Sequence, residues 1–380
     1  MIGEKKIKLF VDAHSFDTEY QGTQTFIEGL YNAMMKYHPD VEVYMGANNV
    51  QRIQKAFPLL DAAKIISYKK RTPAILRFLI DIPDIIQKYS FDFAHFQYIS
   101  PSVDGRCKYI VTIHDVLFND FSKEFSWRYR QNRNFLFSRS IQKAEIKTTV
   151  SEYSKNRISE YYHVAKEQLY IIPNAVSIQS EHNHTKENAK QIIKEKYGIE
   201  NFILFVSRIE PRKNHLLLLN KFFELELYKQ NISLVFIGKR SLKVKGLESK
   251  IWSLTDENKR FFHWIEDVEP EDLTLFYKAC RLFVYPSKAE GFGIPPLEAA
   301  VQKAPVLCSN ATAMADFDFF NPYIFNPENA DEFAKKLQLM INEPPTCAAL
   351  EKISNDILQR YSWRKSADIL YNLIKSSMAK

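Results

Sequence analysis

The sequence predicts an α/β protein built from two doubly wound, Rossmann-like domains with parallel sheets. Short β-branched runs alternate along the chain with longer segments of helical period, which is the pattern of βα units. The chain has 380 residues, and a single hydrophobic core usually stops growing at about 250 to 300 residues. Hydrophobic residues make up 46% of the chain and charged residues 26%, a balance that disfavours a disordered protein.

The first half is predicted to contain six strands. The predicted strands cover residues 8–13, 41–46, 91–96, 109–113, 147–150 and 169–172. Between the first two, Phe26, Ile27, Leu30 and Met34 recur at helical spacing, so residues 22–37 are predicted to form an amphipathic helix. The loop over residues 15–22 therefore follows the carboxyl end of a strand.

A second series of strands begins after Pro173. Its predicted strands cover residues 202–207, 233–238, 261–265, 282–285 and 305–309, with a helix over 216–227. The final helix, over 363–374, should return to the first domain. We therefore expect an N-terminal acceptor-side domain over 1–176 plus 362–380, and a donor-binding domain over 177–361. Ligands of open α/β sheets bind beyond the carboxyl ends of the strands, so two such domains predict a central cleft.

Two cations follow the strand predicted to end at residue 207. Arg208 and Lys213 lie between that strand and an apolar helix. Such a pair suits a diphosphate, because Arg contacts two oxygens at once and Lys adds a compact charge. A helix N-terminus adds a positive dipole there. A solvated basic turn with surface ion pairs is the alternative interpretation.

A second loop carries Glu290, passes Gly291 and Gly293, and opens a helix that contains Glu298. Glycines let backbone N–H groups approach a phosphate or a sugar oxygen closely. Two carboxylates eight residues apart would accept hydrogen bonds from hydroxyl groups at different parts of one extended ligand. A helix cap is the alternative interpretation of Glu290.

These segments resemble the retaining GT-B glycosyltransferases known as family four, or glycosyl transferases group 1. The hallmark of that family is two glutamates that flank seven residues, as Glu290 and Glu298 do here, with a phosphate-binding pair that matches Arg208 and Lys213. The resemblance extends over most of the chain. It includes residues 172–174, 111–115, 305–310 and 361–363.

The resemblance implies a role for each matching residue. Arg208 and Lys213 would bind the donor diphosphate and stabilise the departing nucleotide, Glu290 would face the transferred sugar, and Glu298 would hold the ribose hydroxyls. Further contacts with the donor would come from Gly22, Gly238, Phe292, Gly293 and Ile294. The chain departs from the family at Ala175, Ser177 and residues 264–266, which leaves the pocket for the base open.

His114 follows a strand of the first half and, by the same resemblance, would lie beside the donor sugar. A satisfied core histidine is the alternative. Residues Tyr20, Gln21, Gly22 and Thr23 occupy the place where similar enzymes approach the donor sugar and the acceptor. The basic stretch 69–71 and the amphipathic stretch 75–85 predict either contact with an anionic membrane and a lipid-linked acceptor, or a helix packed on the core.

Neither a metal nor another cofactor is expected. His182 and His184 lack an accompanying carboxylate or cysteine cluster, and Asp316 and Asp318 are interpreted as solvated or capping residues. The net charge of +7 supports an acidic partner weakly, and nucleic acid is not expected because no basic stripe with interleaved aromatics is present. The four cysteines show no metal or redox spacing. With no signal peptide or membrane span recognised, a cytoplasmic location is expected.

The resulting prediction is a retaining hexosyltransferase. It would move a hexose-type sugar from a nucleotide-sugar donor to a glycan or lipid-linked acceptor in the assembly of a cell-surface polysaccharide. A nucleotide-sugar epimerase and a non-catalytic nucleotide-binding GT-B module are the alternatives. An epimerase would need no acceptor, and the two glutamates favour the transferase.

Overall fold

The structure is a computed structural model that describes residues 6–18, 22–69, 75–102, 105, 107–176 and 184–379. The chain divides into two compact units, the first formed by Met1–Ala175 with Tyr361–Lys380 and the second by Val176–Arg360. The sequence-based boundaries lie one residue from these. The predictions for Tyr20, Gln21, Ser177 and His182 concern positions outside the described residues.

Each unit contains one parallel sheet. The strands of the first unit are β1 (Ile7–Asp12), β2 (Val41–Gly46), β3 (Ile65–Ile66), β4 (Phe93–Gln97), β5 (Lys108–Thr112), β6 (Ile146–Thr149) and β7 (Leu169–Ile171). Those of the second unit are β8 (Phe202–Val206), β9 (Ser233–Ile237), β10 (Phe262–Ile265), β11 (Leu282–Tyr285), β12 (Val306–Ser309) and β13 (Ile324–Phe325). The two-residue strands β3 and β13 are additions to the predicted set.

The helices connect and cover these strands. They are α1 (Gly22–Tyr37), α2 (Val50–Ala56), α3 (Ile82–Tyr89), α4 (Leu117–Asp120), α5 (Trp127–Lys143), α6 (Glu152–Tyr162), α7 (Lys186–Tyr197), α8 (His215–Glu224), α9 (Leu247–Trp252), α10 (Asp256–Lys259), α11 (Pro270–Ala279), α12 (Ile294–Val301), α13 (Ala330–Asn342), α14 (Cys347–Arg360) and α15 (Trp363–Met378). A π-helical turn, Arg77–Asp81, precedes α3. Side-chain caps fix several helix starts, as when Ser362 accepts a hydrogen bond from the Lys365 N–H at the start of α15.

The strand order defines where each sheet reverses direction. The first sheet runs β3-β2-β1-β4-β5-β6-β7 and the second runs β10-β9-β8-β11-β12-β13. Each sheet is built outward in both directions from one central pair, β1 with β4 and β8 with β11. Ligands of open α/β sheets bind at the carboxyl ends of strands at this switch point. Functional residues are therefore expected on the loops that leave β1, β4, β8 and β11.

The terminal helix α15 completes the first unit by packing on α1. The Trp363 ring lies so close to Gly29 that a Cβ atom at that glycine would be only 2.0 Å from it. Phe26 contacts the same ring, with 6.3 Å between the ring centroids. Because Gly29 has no side chain, it leaves the space in which the Trp363 ring of α15 packs.

Candidate functional site

Two loops meet at the switch point of the second sheet. The loop after β8 contains a 3₁₀ turn, Pro211–Lys213, and continues through Asn214 into α8. Asn214 adopts a left-handed conformation with φ of 62°, which asparagine tolerates better than most residues. The loop after β11 carries Glu290 and leads into α12. Because β8 and β11 are neighbours in the sheet, these two loops emerge side by side.

A buried ion-pair cluster joins the loops. Lys213 Nζ lies 2.6 Å from Glu290 Oε1, and an Arg212 Nη atom lies 3.1 Å from Glu290 Oε2. The Tyr285 hydroxyl donates to Glu290 Oε1 at 3.0 Å, and Lys213 Nζ donates to the Tyr285 oxygen at 3.2 Å. Lys213 and Glu290 are only 8% and 7% exposed. Both carboxylate oxygens of Glu290 are thus held by cations.

The cluster is charged despite its burial. Burial by itself would raise the pKa of Glu290, but the charges of Lys213 and Arg212 outweigh it and lower that pKa to about 2. Burial and the neighbouring Arg212 lower the pKa of Lys213, while Glu290 opposes that shift. Two cations beside one carboxylate form an environment that a phosphate ligand can enter by competing for the same donors.

Hydrogen bonds that involve main-chain groups fix the two loops to each other and to Thr312. The carbonyl of Arg212 accepts from the Lys288 N–H at 2.7 Å, and an Arg212 Nη atom donates to the Ala289 carbonyl at 2.7 Å. On the other side, the Glu290 N–H donates to the Thr312 hydroxyl at 2.8 Å. These bonds hold the ion-pair cluster in one geometry before any ligand arrives.

Arg208 and Glu298 lie in different surroundings. Arg208 is exposed, on the same loop as Lys213. Glu298 is partly buried in α12 and accepts a hydrogen bond of 2.8 Å from the Tyr277 hydroxyl. Burial raises the pKa of Glu298, although the Tyr277 hydrogen bond opposes the shift. The structure therefore connects Lys213 directly with Glu290, and gives Glu298 a different partner.

The glycine turn before α12 requires its glycine. Gly293 has a φ of 100°, and a Cβ atom there would lie 3.1 Å from Met314 Cγ. This left-handed conformation is strained for most other residues. It places Phe292, which is buried, and Ile294, the first residue of α12, on either side of the turn.

Gly238 lies at the end of β9, where the chain passes the end of β8. Its φ is 145°, and a Cβ atom would lie 2.1 Å from the Ser207 carbonyl oxygen. The Trp264 indole N–H donates to the Gly238 carbonyl at 3.0 Å, and the Arg240 guanidinium lies 5.2 Å from the centroid of the Trp264 ring. Gly238, one of the predicted donor contacts, is thus next to the loop that carries Arg208.

His114 belongs to the first unit, two residues beyond β5. Its Nε2–H donates to Gln97 Oε1 at 2.8 Å, and its ring packs edge-on against Phe26 with 4.9 Å between centroids. Burial lowers the pKa of His114 to about 3, so the ring is neutral near pH 7. It can exchange hydrogen bonds with a sugar hydroxyl but carries no charge.

Gly22 begins α1, and a Cβ atom added there would meet no described atom within 4 Å.

Sequence reasoning did not single out four of these contact residues. They are Arg212, Tyr285, Tyr277 and Gln97. The sequence alone could have indicated Arg212, because it directly precedes Lys213 in a turn that is recognisably basic. The tyrosines and Gln97 have no local signal, because their roles depend on which strands and helices become neighbours.

The described ranges contain neither a metal cluster nor a membrane span. No group of three or more His, Cys, Asp or Glu side chains there is arranged to hold a metal ion. No helix in the same part of the chain has the length and apolar character needed to cross a membrane.

Comparisons with known proteins identify the family. The model of the glycosyl transferases group 1 matches residues 186–356, and that of glycosyltransferase family 4 matches residues 20–180. A crystal structure of Anabaena Alr3699/HepE in complex with UDP and glucose has a TM-score of 0.72, with 14% identity over 97% of this chain and 100% of that one. The fold is therefore GT-B, and the chain belongs to the glycosyl transferases group 1.

Two curated relatives are similar to this chain over part of their length. The serotype-specific mannosyltransferase WbdA of Escherichia coli is 25% identical over 76% of this chain, which spans only 36% of that relative. The O-antigen chain mannosyltransferase RfbU of Salmonella typhimurium is 24% identical over 70% of this chain and 69% of its own length. The chain thus spans about a third of the length of the first relative and about two thirds of the second.

Proposed function

We propose that this chain transfers a hexose-type sugar, with retention of configuration, from a nucleotide-sugar donor to a glycan or lipid-linked acceptor. The supporting observation is the buried cluster of Lys213, Arg212 and Glu290 at the switch point of the second sheet. Similarity to O-antigen mannosyltransferases supports a role in cell-surface polysaccharide assembly, and mannose as the first sugar to test.

The chemistry follows from the charge that develops during transfer. As the bond to the anomeric carbon breaks, the leaving diphosphate gains negative charge, and fixed cations stabilise it without reorganising. Lys213 and Arg212, with Arg208 on the same loop, would supply those cations. Glu290 would orient the sugar, while Glu298 would bind the ribose hydroxyls. In this proposal no metal ion takes part.

The neutral His114 ring would contribute a hydrogen bond beside the donor sugar. Its Nε2–H is directed to Gln97, so its Nδ1 atom would accept from a sugar hydroxyl. Gly22, Phe292, Gly293 and Ile294 would contribute backbone contacts, and Gly238 would line the pocket for the base. Glycines fit this role because they allow close approach of the ligand to the main chain.

A thermal-shift screen against UDP-, GDP- and ADP-sugars tests donor binding first. One of these donors should raise the midpoint of the wild-type protein, because a ligand that binds only the native state stabilises it. Lys213→Ala and Glu290→Gln should each weaken the binding of that donor roughly 10- to 150-fold. This is the equivalent of the about 1.5 to 3 kcal/mol that a hydrogen bond to a charged group contributes.

Lys229→Ala is the matched control, since Lys229 forms an exposed pair with Glu226 on the surface of the same unit. It should bind the donor as the wild type does. If no nucleotide sugar shifts the wild type, or if Lys213→Ala binds as tightly as Lys229→Ala, the proposal is wrong. Formation of an isomerised nucleotide sugar without any acceptor would instead identify the epimerase.

We further propose a cytoplasmic location with peripheral contact to an anionic membrane. All four cysteines are free, which agrees with a reducing compartment. Ile75 and Leu79 are 51% and 62% exposed, and Lys69, earlier in the chain, is exposed too; Lys70 and Arg71 lie outside the described residues.

Leu79→Ser should reduce sedimentation with vesicles containing phosphatidylglycerol, whereas Leu59→Ser, at a site 63% exposed, should not. Equal binding of both variants and the wild type would contradict this contact.

A further inference from the structure

In the candidate donor site, the carboxylate of Glu290 occupies the two cations that a diphosphate needs. Lys213 Nζ lies 2.6 Å from Oε1, and one Nη atom of Arg212 lies 3.1 Å from Oε2, so each oxygen contacts a different cation. The other Nη atom of Arg212 lies 2.9 Å from a carboxylate oxygen of Glu210. Together these two cations and two carboxylates have no net charge. The site therefore holds an anion of its own before any ligand binds.

Burial strengthens this pairing. The side chains of Lys213 and Glu290 are only 10% and 9% exposed, and opposite charges attract more strongly where water is excluded. Burial by itself would raise the pKa of Glu290, but the neighbouring cations lower it to about 2, so the carboxyl is ionised. A buried ammonium group that loses its carboxylate partner is left uncompensated, which is costly. Another anion is therefore the natural replacement for Glu290 at Lys213.

Other contacts hold the main chain around this ion pair. The Glu290 N–H donates to the Thr312 hydroxyl oxygen at 2.8 Å. Arg212 donates to the Ala289 carbonyl at 2.7 Å and also pairs with Glu210. None of these contacts uses the Glu290 carboxylate. A rotation of the Glu290 side chain would therefore release Lys213 while both loops keep their positions.

We propose that Glu290 is an internal counter-ion that competes with the donor diphosphate for Lys213 and Arg212. A diphosphate that takes both cations displaces the carboxylate. A sugar on that diphosphate offers hydroxyl groups to the displaced carboxylate, whereas a bare nucleoside diphosphate leaves it beside a group of like charge, which is unfavourable. Glu290 thereby weakens the binding of nucleotides that carry no sugar. This inference rests on the proposed function, because it takes the donor diphosphate as the ligand.

Titration calorimetry of the whole chain with UDP, GDP and ADP tests the competition. Glu290→Gln keeps the shape of the side chain and removes its charge. This variant should bind at least one of the three nucleotides at least roughly tenfold more tightly than the wild type does, the effect of about 1.4 kcal/mol. Glu226→Gln is the matched control, because it removes the same charge from an exposed pair with Lys229 in the same unit. Its affinity for the nucleotide should equal that of the wild type.

The two effects expected of Glu290→Gln have opposite signs because they concern different ligands. A nucleotide sugar loses the hydrogen bonds between its hydroxyls and the carboxylate, so its binding should weaken. A nucleoside diphosphate loses a competitor, so its binding should tighten. If Glu290 only held the two loops together, its replacement would weaken both ligands. An affinity for all three nucleotides that is unchanged or weaker in Glu290→Gln refutes the counter-ion.

A crystal structure of the wild type with a bound nucleoside diphosphate gives a second test that does not depend on the folding of a variant. A phosphate oxygen should replace Glu290 Oε1 at Lys213 Nζ. The two side-chain atoms should then be more than about 4 Å apart, the limit for an ion pair. A bound diphosphate beside an intact pair of Lys213 and Glu290 would overturn the proposal.

The outcomes separate this proposal from the transferase proposal. If the wild type binds a nucleotide sugar but Glu290→Gln gains no affinity for nucleoside diphosphates, the counter-ion fails and the donor site stands. If Glu290→Gln gains that affinity but no nucleotide sugar binds to the wild type, the counter-ion stands and the transferase function fails.

Discussion

Acidification from pH 7 to pH 5 should destabilise the first unit through two buried histidines. His95 and His114 are both buried, and burial lowers the pKa of each to about 3, with His114 contributing to the shift of His95. In the unfolded chain a histidine has a pKa of about 6.5. Between pH 7 and pH 5 the unfolded state therefore binds protons that the folded state does not, and stability falls as the pH falls.

The magnitude follows from proton linkage. A histidine with a folded pKa of about 3 and an unfolded pKa of about 6.5 loses about 2 kcal/mol of folding free energy between pH 7 and pH 5. Two such histidines give about 4 kcal/mol, a large part of the stability of an ordinary domain. Both residues belong to the first unit, whereas the second unit contains His215, whose pKa burial also lowers to about 3, so that unit should lose about 2 kcal/mol in the same way.

A buried hydrogen-bond network accommodates the neutral ring of His95, whose pKa is lowered by burial. The Tyr31 hydroxyl donates to His95 Nδ1, and His95 Nε2–H donates to Thr112 Oγ1 at 2.7 Å. The Thr112 hydroxyl then donates to Thr148 Oγ1 at 2.6 Å, and Thr148 to the Val111 carbonyl at 3.3 Å. With the hydrogen bonds in this direction, each of the four donors is used once. A second proton on His95 would have to bind Nδ1, where it would displace the hydrogen bond from the Tyr31 hydroxyl.

Native-state hydrogen exchange, followed by mass spectrometry, tests this prediction. Measured at pH 5, 6 and 7 on peptides from β4 and β5, it gives the free energy of opening of these two strands. His95→Gln and His114→Gln should each reduce the pH-dependent loss from about 4 to about 2 kcal/mol, whatever their effect at pH 7. His163→Asn is the control, because His163 is exposed and Asn suits its φ of 52°. An identical pH dependence in the wild type and all three variants would refute the reasoning.

Three further changes have expected outcomes. Gly238→Ala should cost about 3 kcal/mol or more in urea unfolding, because the added methyl collides with a backbone carbonyl at a φ of 145°; a change below about 0.5 kcal/mol would contradict this. Gly29→Ala should displace the ring of Trp363 and expose the terminal helix to trypsin, so an unchanged digestion pattern would count against it. Tyr285→Phe removes a hydrogen bond to Glu290, so acid unfolding should begin at higher pH, since the carboxylate loses a partner that lowers its pKa; a midpoint unchanged between pH 4 and 2 would oppose the assignment.

Strand positions were predictable because each core strand is a short run of buried apolar residues between polar loops. β2 and β11 have the predicted bounds, and the remaining predicted strands differ by one or two residues at their ends. The strands β3 and β13 have two residues each, too short to give a periodic signal. Helix α8 ends at Glu224, three residues before the prediction, because Glu226 turns left-handed with no glycine to mark the stop.

Residues of the candidate donor site could be named from the sequence where the chemistry is local, and not where it depends on neighbours. Lys213 and Glu290 were named from their loops, and the structure brings them within 2.6 Å of each other. Arg212 and Tyr285 complete the same cluster, but nothing in either segment shows that the two loops meet. The roles assigned to Arg208 and Glu298 stay predictions.

The sequence by itself determined the α/β class, the two-unit division and the loops that carry charge, because hydrophobic period and turn residues are local properties of the chain. Tertiary structure alone decided that Lys213 and Arg212 share one carboxylate, that Gln97 bonds to His114, and that Asp12 is surrounded by Tyr68 and Arg77. Those contacts join residues far apart in the chain, and strand order sets which loops become neighbours.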